Sequence, residues 1–478
     1  MDLPTEFTSR NEPLMPDTSA LTLEAKLKLA FPDMHVAGHA DLQGRDPGEH
    51  PDNFGAGILA SPSSAVDVAA LVTWCREHGV SIVPHGGRTS LAGGCVSHEG
   101  QIIISTSRLN AVDSINIEEK TVTVQAGMTL QALQEAAAAY GLTTGIDLPS
   151  RGTATIGGMA ATNAGGLLAF RNGVMRHQIL GIEAVMPDGT IFSDLTRVVK
   201  VSAGPDIKQL LIGSEGAFGI ITRLVLKLET LRPYRATAML AVNNAKSALA
   251  IAERLTDMTG LKLEAAEMMW PLFIRDHAAL RNFDLSWLPE SACAFIVEIS
   301  SSDEETAHSN LEAALADIWE DIGILDGIVA QSGTQAKQIW VLREESGFYY
   351  QFYNNPPSFD VSLPPALLDA YVADLHARFH VLNPHYELYV YGHIADGNLH
   401  LTVKCDEPDD NETVRIQDAI YTGVREIGGS FSAEHGVGFE KRYGYENYAD
   451  PIKRSLAKQI KQALDPNGLF NPGKVPFA

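Results

Sequence analysis

The 478-residue chain predicts an α+β fold made of two unlike halves and a short helical tail. Three observations carry that expectation. From Gly57 to about residue 233, short apolar strands alternate with helices of 3.6-residue apolar period. Beyond Pro233 the strand-like runs and the helices between them lengthen, the texture of an antiparallel sheet with helices on one face. The final stretch holds one helix and the turn Asp465-Pro466-Asn467-Gly468.

The elements follow in order. Residues 21–31 read as an amphipathic helix and 46–53 as a polar loop with two prolines. A helix is expected at 65–78, strands at 81–83, 102–104 and 121–125, and a helix at 130–140 that ends near Gly141. A stretch of Gly, Ala and Thr at 149–173 is too small-sided to pack a core by itself. Strands follow at 182–186 and 220–228, the first closed by Pro187-Asp188-Gly189. In the second half, strands are expected at 236–242, 293–299 and 388–391, and helices at 245–259, 303–322 and 365–379. The tail helix is expected at 448–464. At about 150 residues per domain the length admits two to four domains. The divisions expected are 1–53, 54–233, 234–425 and 426–478.

Lys and Arg total 36 against 59 Asp and Glu, a net charge of −23. Such a chain repels phosphate backbones and anionic lipid heads, which argues against nucleic-acid and membrane-surface partners. The four cysteines form no CxxC pair and are too sparse for a disulfide scaffold, so a reducing, cytoplasmic compartment is expected. Residues 1–17 carry Asp2, Glu6 and Glu12 and read as neither secretory signal nor transit peptide. No apolar run approaches the length of a membrane span.

Three loops rich in small residues stand out. The first is Pro84-His85-Gly86-Gly87-Arg88-Thr89-Ser90 with Gly93 and Gly94, after the strand at 81–83. Successive backbone N–H groups in such a loop can nest an anion such as a pyrophosphate. A turn with no ligand is the alternative. The second runs from Pro149 to Gly166 through Gly152, Thr153, Thr155, Ile156, Gly157, Gly158, Thr162, Asn163, Ala164 and Gly165. The third is Gly213-Ser214-Glu215-Gly216, feeding Gly219-Ile220-Ile221. None has the GxGxxG or GxxxxGK[ST] spacing, so NAD and P-loop readings are poorly supported.

A second constellation lies further on. Tyr389 to Tyr391 and Leu399 to Val403 are strand-like, with the hairpin dipeptide Asp396-Gly397 between them. Folding about that dipeptide pairs Ala395 with Asn398, Ile394 with Leu399 and His393 with His400. Two directly opposed imidazoles can share one metal. Two ordinary histidines flanking a hairpin are the alternative. Glu434-His435, bounded by Gly436 and Gly438, adds a carboxylate and a third imidazole; a sharp bend is needed to aim both inward.

These loops, with Tyr391-Gly392-His393-Ile394-Ala395-Asp396-Gly397-Asn398-Leu399-His400, Ser432-Ala433-Glu434-His435-Gly436-Val437-Gly438 and Leu469-Phe470-Asn471-Pro472-Gly473-Lys474, resemble a flavoprotein family. It is the branch of the vanillyl-alcohol oxidase/p-cresol methylhydroxylase superfamily that holds FAD-linked D-lactate dehydrogenase, the flavoprotein component of glycolate oxidase, and D-2-hydroxyglutarate dehydrogenase. The resemblance implies a two-subdomain FAD-binding domain of the p-cresol methylhydroxylase type, then an α+β substrate (cap) domain with an antiparallel sheet, then a tail returning to the flavin. It implies FAD against the first two loops, with Gly219 to Ile221 on the adenine side, Glu215 in the cofactor site and Asn471 near the flavin ring. Members with covalent flavin on the first loop carry His after the double glycine. Here Arg88 stands there, so FAD is expected to be non-covalent.

The resemblance also implies His393, His400 and Glu434 as ligands of a divalent metal and His435 as catalytic base. Arg343 and Asn398 would bind substrate. A site of two nitrogens and one carboxylate suits Zn²⁺, Mn²⁺, Fe²⁺ or Co²⁺, with Zn or Mn preferred. The implied reaction oxidises a D-2-hydroxy acid to the 2-oxo acid, with hydride passing to flavin and electrons to an electron-transfer flavoprotein, cytochrome or quinone. A flavin oxidase using O₂ and a metal-dependent hydrolase are the alternatives. A homodimer is left open.

Read without the resemblance, Arg343 is a surface helix arginine paired with Glu344 or Glu345. One departure concerns specificity. Relatives carry Lys two residues before the Asp of a motif like Asp360-Val361-Ser362-Leu363-Pro364, and here that position is Ser358. The aromatic run from Phe348 to Tyr353 before it is either a changed pocket for a bulkier or less charged acid, or cap-domain core.

Overall fold

The structure, a computed structural model, describes residues 21–258 and 261–475. The reading of residues 1–17, and Thr259 at the end of one expected helix, lie outside them. Among the described residues there are three sheets. The first has four strands in the order His35–Ala37, Leu59–Ser61, Ile102–Ser105, Ile82–His85, the last three parallel. Helix Ala65–His78 packs on it through Val68, Leu71, Val72 and Cys75. Its ends follow local chemistry. Ser64 Oγ accepts from Asp67 N at 3.1 Å, and Gly79 closes it at φ +65°.

The second sheet is antiparallel and six-stranded, centred on the long strand Ile220–Thr230. The third has seven antiparallel strands in the order Asp326–Val329, Tyr234–Val242, Cys293–Ser301, Lys262–Met269, Leu388–His393, Asn398–Val403, Ser358–Ser362. Helices Ala245–Asp257, Glu304–Ile322, Leu368–Leu382 and Asp410–Tyr421 bury one face of it, with Leu240, Phe295, Leu399 and Leu401 in that core. On the other face, helices Pro271–Arg281 and Gly333–Glu344 cover one end and leave the end nearest His393 and His400 to the first half of the chain. No helix is long and apolar enough to cross a membrane among the described residues.

Two expectations are corrected. Helices lie on both faces of the seven-stranded sheet rather than on one. The small-residue stretch joins a core only together with other elements: helix Ile156–Thr162 buries Ile156, Met159 and Ala160 beside Val124 and Leu224. Gly157 allows that approach, since a Cβ there would lie 2.5 Å from the Ala126 methyl. The tail helix does not start at 448. Helix Arg442–Tyr448 stops, Ala449 is extended, and Pro451–Leu464 starts anew with Asp450 accepting from Lys453 N at 2.8 Å. A proline at the first helical position terminates what precedes it.

The chain end returns to the first sheet. Ile82 N donates to Leu469 O at 2.7 Å and Asn471 N to Ile82 O at 2.8 Å, so residues 469–471 extend the edge of the strand that leads into the first glycine loop. Phe470 is sealed beneath at 1% exposure.

Candidate active site

The hairpin carries the two histidines on one face, in a different register from the expected one. His393 pairs with Asn398, and His400 with Tyr391. Ile394 cannot pair with Leu399, because its side chain is in the core and its N–H donates to Ala266 O on the neighbouring strand at 3.0 Å. Residues 394–397 form the turn, with Gly397 at φ +77°. The slip is two residues in the pairing sum, an even number, so the shared face survives. The histidines are diagonal rather than opposed neighbours, and their rings lie 5.4 Å apart.

Glu434 comes to them from the tail. Its Oε1 is 3.7 Å from His393 Nε2 and 3.5 Å from His400 Nε2. One ligand atom from each of the three residues falls within 4.8 Å of the others, and among the described residues no other such trio of His, Cys, Asp or Glu stands out. Burial disfavours imidazolium at His393, yet the Glu267 and Glu434 carboxylates overcome it and push its pKa up to about 10. Burial takes His400 well below the ordinary histidine range. Glu434 is held far below the carboxylate range despite burial, by His393, His400 and His435. Two imidazole nitrogens and a carboxylate oxygen in this compass are a donor set that fits a divalent transition ion.

Behind the ligands stands Glu267, buried at 1% exposure. Its Oε1 accepts from His393 Nδ1 at 2.7 Å and its Oε2 from Arg343 Nε at 2.8 Å. The first bond fixes which His393 nitrogen faces Glu434. The second brings Arg343 inside, with its guanidinium 4.9 Å from the Tyr391 ring centre. The surface pairing with Glu344 or Glu345 is therefore overturned. Glu267 holds the guanidinium through Nε, which leaves the two terminal nitrogens to fork a carboxylate.

The bend that aims Glu434 and His435 is held first by Asp360. Asp360 Oδ2 accepts from the backbone N–H groups of Ala433, Glu434 and His435 at 3.0, 2.8 and 3.1 Å. Its Oδ1 pairs with Lys441 Nζ and lies 3.4 Å from His435 Nδ1. Gly436 and Gly438, at φ +78° and +49°, complete the bend. Burial lowers the His435 pKa, so the ring is neutral at neutral pH and its other nitrogen can accept a proton. His435 also stacks on His400, centroids 5.6 Å apart.

The three small-residue loops meet one another and this site. A Cβ at Gly86 would overlap Thr155 Oγ1, and one at Gly87 would overlap Thr153 O, so loops one and two are in backbone contact. Loop two ends on the metal-type cluster: Gly166 N donates to Glu434 Oε2 at 3.2 Å. Both oxygens of Glu215 are taken by Val437 N and Gly438 N, each at 2.8 Å, so its carboxylate anchors the 436–438 bend. Asn471 Nδ2 donates to Glu215 O at 2.6 Å and Gly94 O at 3.3 Å, tying the tail to loops one and three. Ile156 and Ile221 send their side chains into the core, which leaves only backbone for a ligand. His85 is fully buried, with Nε2 2.8 Å from Cys95 O and Nδ1 without a partner. The Arg88 side chain sits over Phe54 with its Nε buried and unpartnered. Two orphaned polar atoms beside a backbone cradle suit a polar, phosphate-bearing cofactor such as FAD. Asn398 Oδ1, next to His393, is a further buried polar atom without a partner, here an acceptor.

The aromatic run divides. Phe348 and Tyr349 join the core with Phe273, Tyr389 and Tyr391, whereas Tyr350 and Phe352 are 57% and 58% exposed. The roles of Glu267, Asp360 and Lys441 escaped the sequence reading. Glu267 had a signal: a carboxylate in the largely apolar strand Lys262–Met269.

Residues 56–194 match the family described as FAD binding domain, and residues 231–475 match FAD linked oxidases, C-terminal domain. D-2-hydroxyglutarate dehydrogenase of Xanthomonas citri pv. viticola is 33% identical over 425 residues, 87% of this chain and 88% of that protein. The enzyme of that name from Stutzerimonas stutzeri is 33% identical over 431 residues, 87% and 90% of the two chains. Among solved structures, p-cresol methylhydroxylase with substrate bound superposes at TM-score 0.68 with 16% identity, over 88% of this chain and 89% of that one. The 4-ethylphenol oxidase from Gulosibacter chungangensis superposes at 0.64 with 18% identity, over 89% and 90%. At those identities the structural likeness speaks for the fold alone.

Proposed function

The chain belongs to the FAD-linked oxidase family, and on that premise we propose that it oxidises a D-2-hydroxy acid to the 2-oxo acid with FAD and a divalent metal ion. The observation that carries the reading is the meeting of a His393, His400 and Glu434 donor set with the end of the second glycine loop, through the Gly166 N–H. When bound, flavin supplies a hydride acceptor and the metal ion acidifies a hydroxyl, chemistry that side chains lack.

The chain's own residues do the rest. The terminal nitrogens of Arg343 hold the substrate carboxylate, with Nε fixed by Glu267. His435 takes the hydroxyl proton at Nε2 while Nδ1 faces Asp360, which stabilises the imidazolium that results. Asn398 Oδ1 is available to the substrate. Non-covalent FAD lies against loops one and two, and Zn or Mn is the preferred ion. Electrons leave to a non-nicotinamide acceptor, in a cytoplasmic setting. His435→Ala tests the base: the purified variant is expected to keep its flavin colour and metal content but to lose anaerobic flavin reduction. Loss of flavin instead would make His435 structural and overturn its role.

A further inference from the structure

The face of the seven-stranded sheet that carries the histidines continues past them. Across three strands, Ser362, Asn398 and His393 form one rung, Asp360, His400 and Tyr391 the next, and Ser358, Thr402 and Tyr389 a third. Alternate residues share a face, so these nine side chains point the same way. The first two rungs carry the metal-type ligands and the brace for the base. The third carries no charge. Ser358 Oγ and Thr402 Oγ1 are 3.1 Å apart, Tyr349 stacks on Tyr389, and the Tyr350 ring lies against Tyr349 with centroids 4.9 Å apart.

The cations around this face are committed. Lys441 is held by Asp360 and Ser432. Lys404, which lies over the Tyr389 ring, is bound at 3.1 Å by both Asp276 and Glu387. Arg343 is needed for the carboxylate next to the reacting carbon. Burial raises the Tyr350 phenol, and the formal charge that adds to the rise is a carboxylate, Glu49. A second carboxylate on the substrate would thus meet neutral hydroxyls, aromatic rings and a negative charge. An uncharged ring would meet Tyr350, which stays more than half exposed at 57% and lies against Tyr349 of the same aromatic cluster. The third rung lies about 7 Å along the strand from the second, the reach of an aryl group on C3 of a 2-hydroxy acid.

We propose that Ser358 and Tyr350, with the buried Thr402 hydroxyl behind Ser358, form the specificity wall, and that the substrate is a 2-hydroxy acid with an uncharged aromatic side chain rather than a dicarboxylate. This deepens, and rests on, the hydroxy-acid reading above.

The test uses the full chain loaded with FAD and metal. Anaerobic flavin reduction and dye-coupled kcat/KM are measured for D-lactate, D-2-hydroxyglutarate, D-3-phenyllactate and D-3-(4-hydroxyphenyl)lactate. An aryl acid is expected to exceed D-2-hydroxyglutarate by about 10-fold or more in kcat/KM. Tyr350→Ala is expected to cut the aryl-to-lactate ratio about 10-fold, and Ser358→Lys to move preference toward the dicarboxylate by a similar factor. D-2-hydroxyglutarate or D-lactate as the best substrate of the unaltered chain would overturn the wall. If none of the four reduces bound flavin, the hydroxy-acid reading itself falls, and the wall with it.

Discussion

Asp360→Asn takes one formal charge from a fully buried side chain that serves five groups: three consecutive N–H groups, Lys441 and the His435 ring. A hydrogen bond to a charged acceptor contributes about 1.5–3 kcal/mol and a neutral one about 0.5–1.5. Three such bonds therefore weaken by roughly 3 kcal/mol together. Breaking a buried ion pair costs about 3–5 kcal/mol. Burial has already pulled the Lys441 pKa to about 7, so the lysine sheds its proton and trims that penalty. With about 0–2 kcal/mol of the ion-pair penalty left, a total loss of about 3–5 kcal/mol follows, read by denaturant unfolding of the holoenzyme. Rate suffers separately, because the same change releases the bend that aims His435. General-base positioning is worth about 10²- to 10⁴-fold, so anaerobic flavin reduction is expected to slow by about that factor. The double variant Asp360→Asn/Lys441→Met removes both charges and is expected to regain stability but not rate. A single variant that reduces flavin within about 3-fold of the parent, with full metal content, would refute the reasoning.

Other outcomes follow from the same geometry. Glu267→Gln removes the carboxylate behind His393, so metal affinity is expected to fall about 10- to 100-fold in a metal titration, with KM rising as Arg343 loses its anchor. Arg343→Lys keeps the charge but not the planar fork, so KM for the hydroxy acid is expected to rise about 10-fold or more while flavin binding is unchanged. Gly87→Ala sets a methyl against the Thr153 carbonyl and forces loops one and two apart. FAD affinity is expected to drop by at least about 10-fold in a fluorescence titration, whereas Gly333→Ala, with open space around it and no left-handed backbone, is expected to leave FAD affinity unchanged.

Much of the fold was legible because local signals agreed with tertiary packing. Ser64 and Gly79 bracket a helix whose apolar stripe is the one it buries, and the expected span 65–78 is the observed one. The family resemblance carried by the loops and tail motifs is borne out by the two family matches. What was not legible depended on partners distant in sequence. The hairpin register was decided by Ala266 capturing the Ile394 N–H, a bond from another strand. The Glu434 bend is held by Asp360, 74 residues away. Arg343 turned inward because Glu267 is inside, and neither residue's neighbours in sequence reveal the pair. The glycines of the second loop pointed to a ligand, and Gly157 instead lets helix Ile156–Thr162 approach Ala126 closely.

At the centre stands the claim that one site joins flavin and a divalent ion on a hydroxy-acid substrate. Anaerobic bleaching of the flavin band by a reducing D-2-hydroxy acid, before and after chelation, addresses it most directly. Bleaching is expected from the metal-loaded protein, is expected to be lost with chelator while FAD stays bound, and to return on adding Zn²⁺ or Mn²⁺. Bleaching at an unchanged rate in chelator, with metal shown to be removed, would contradict it.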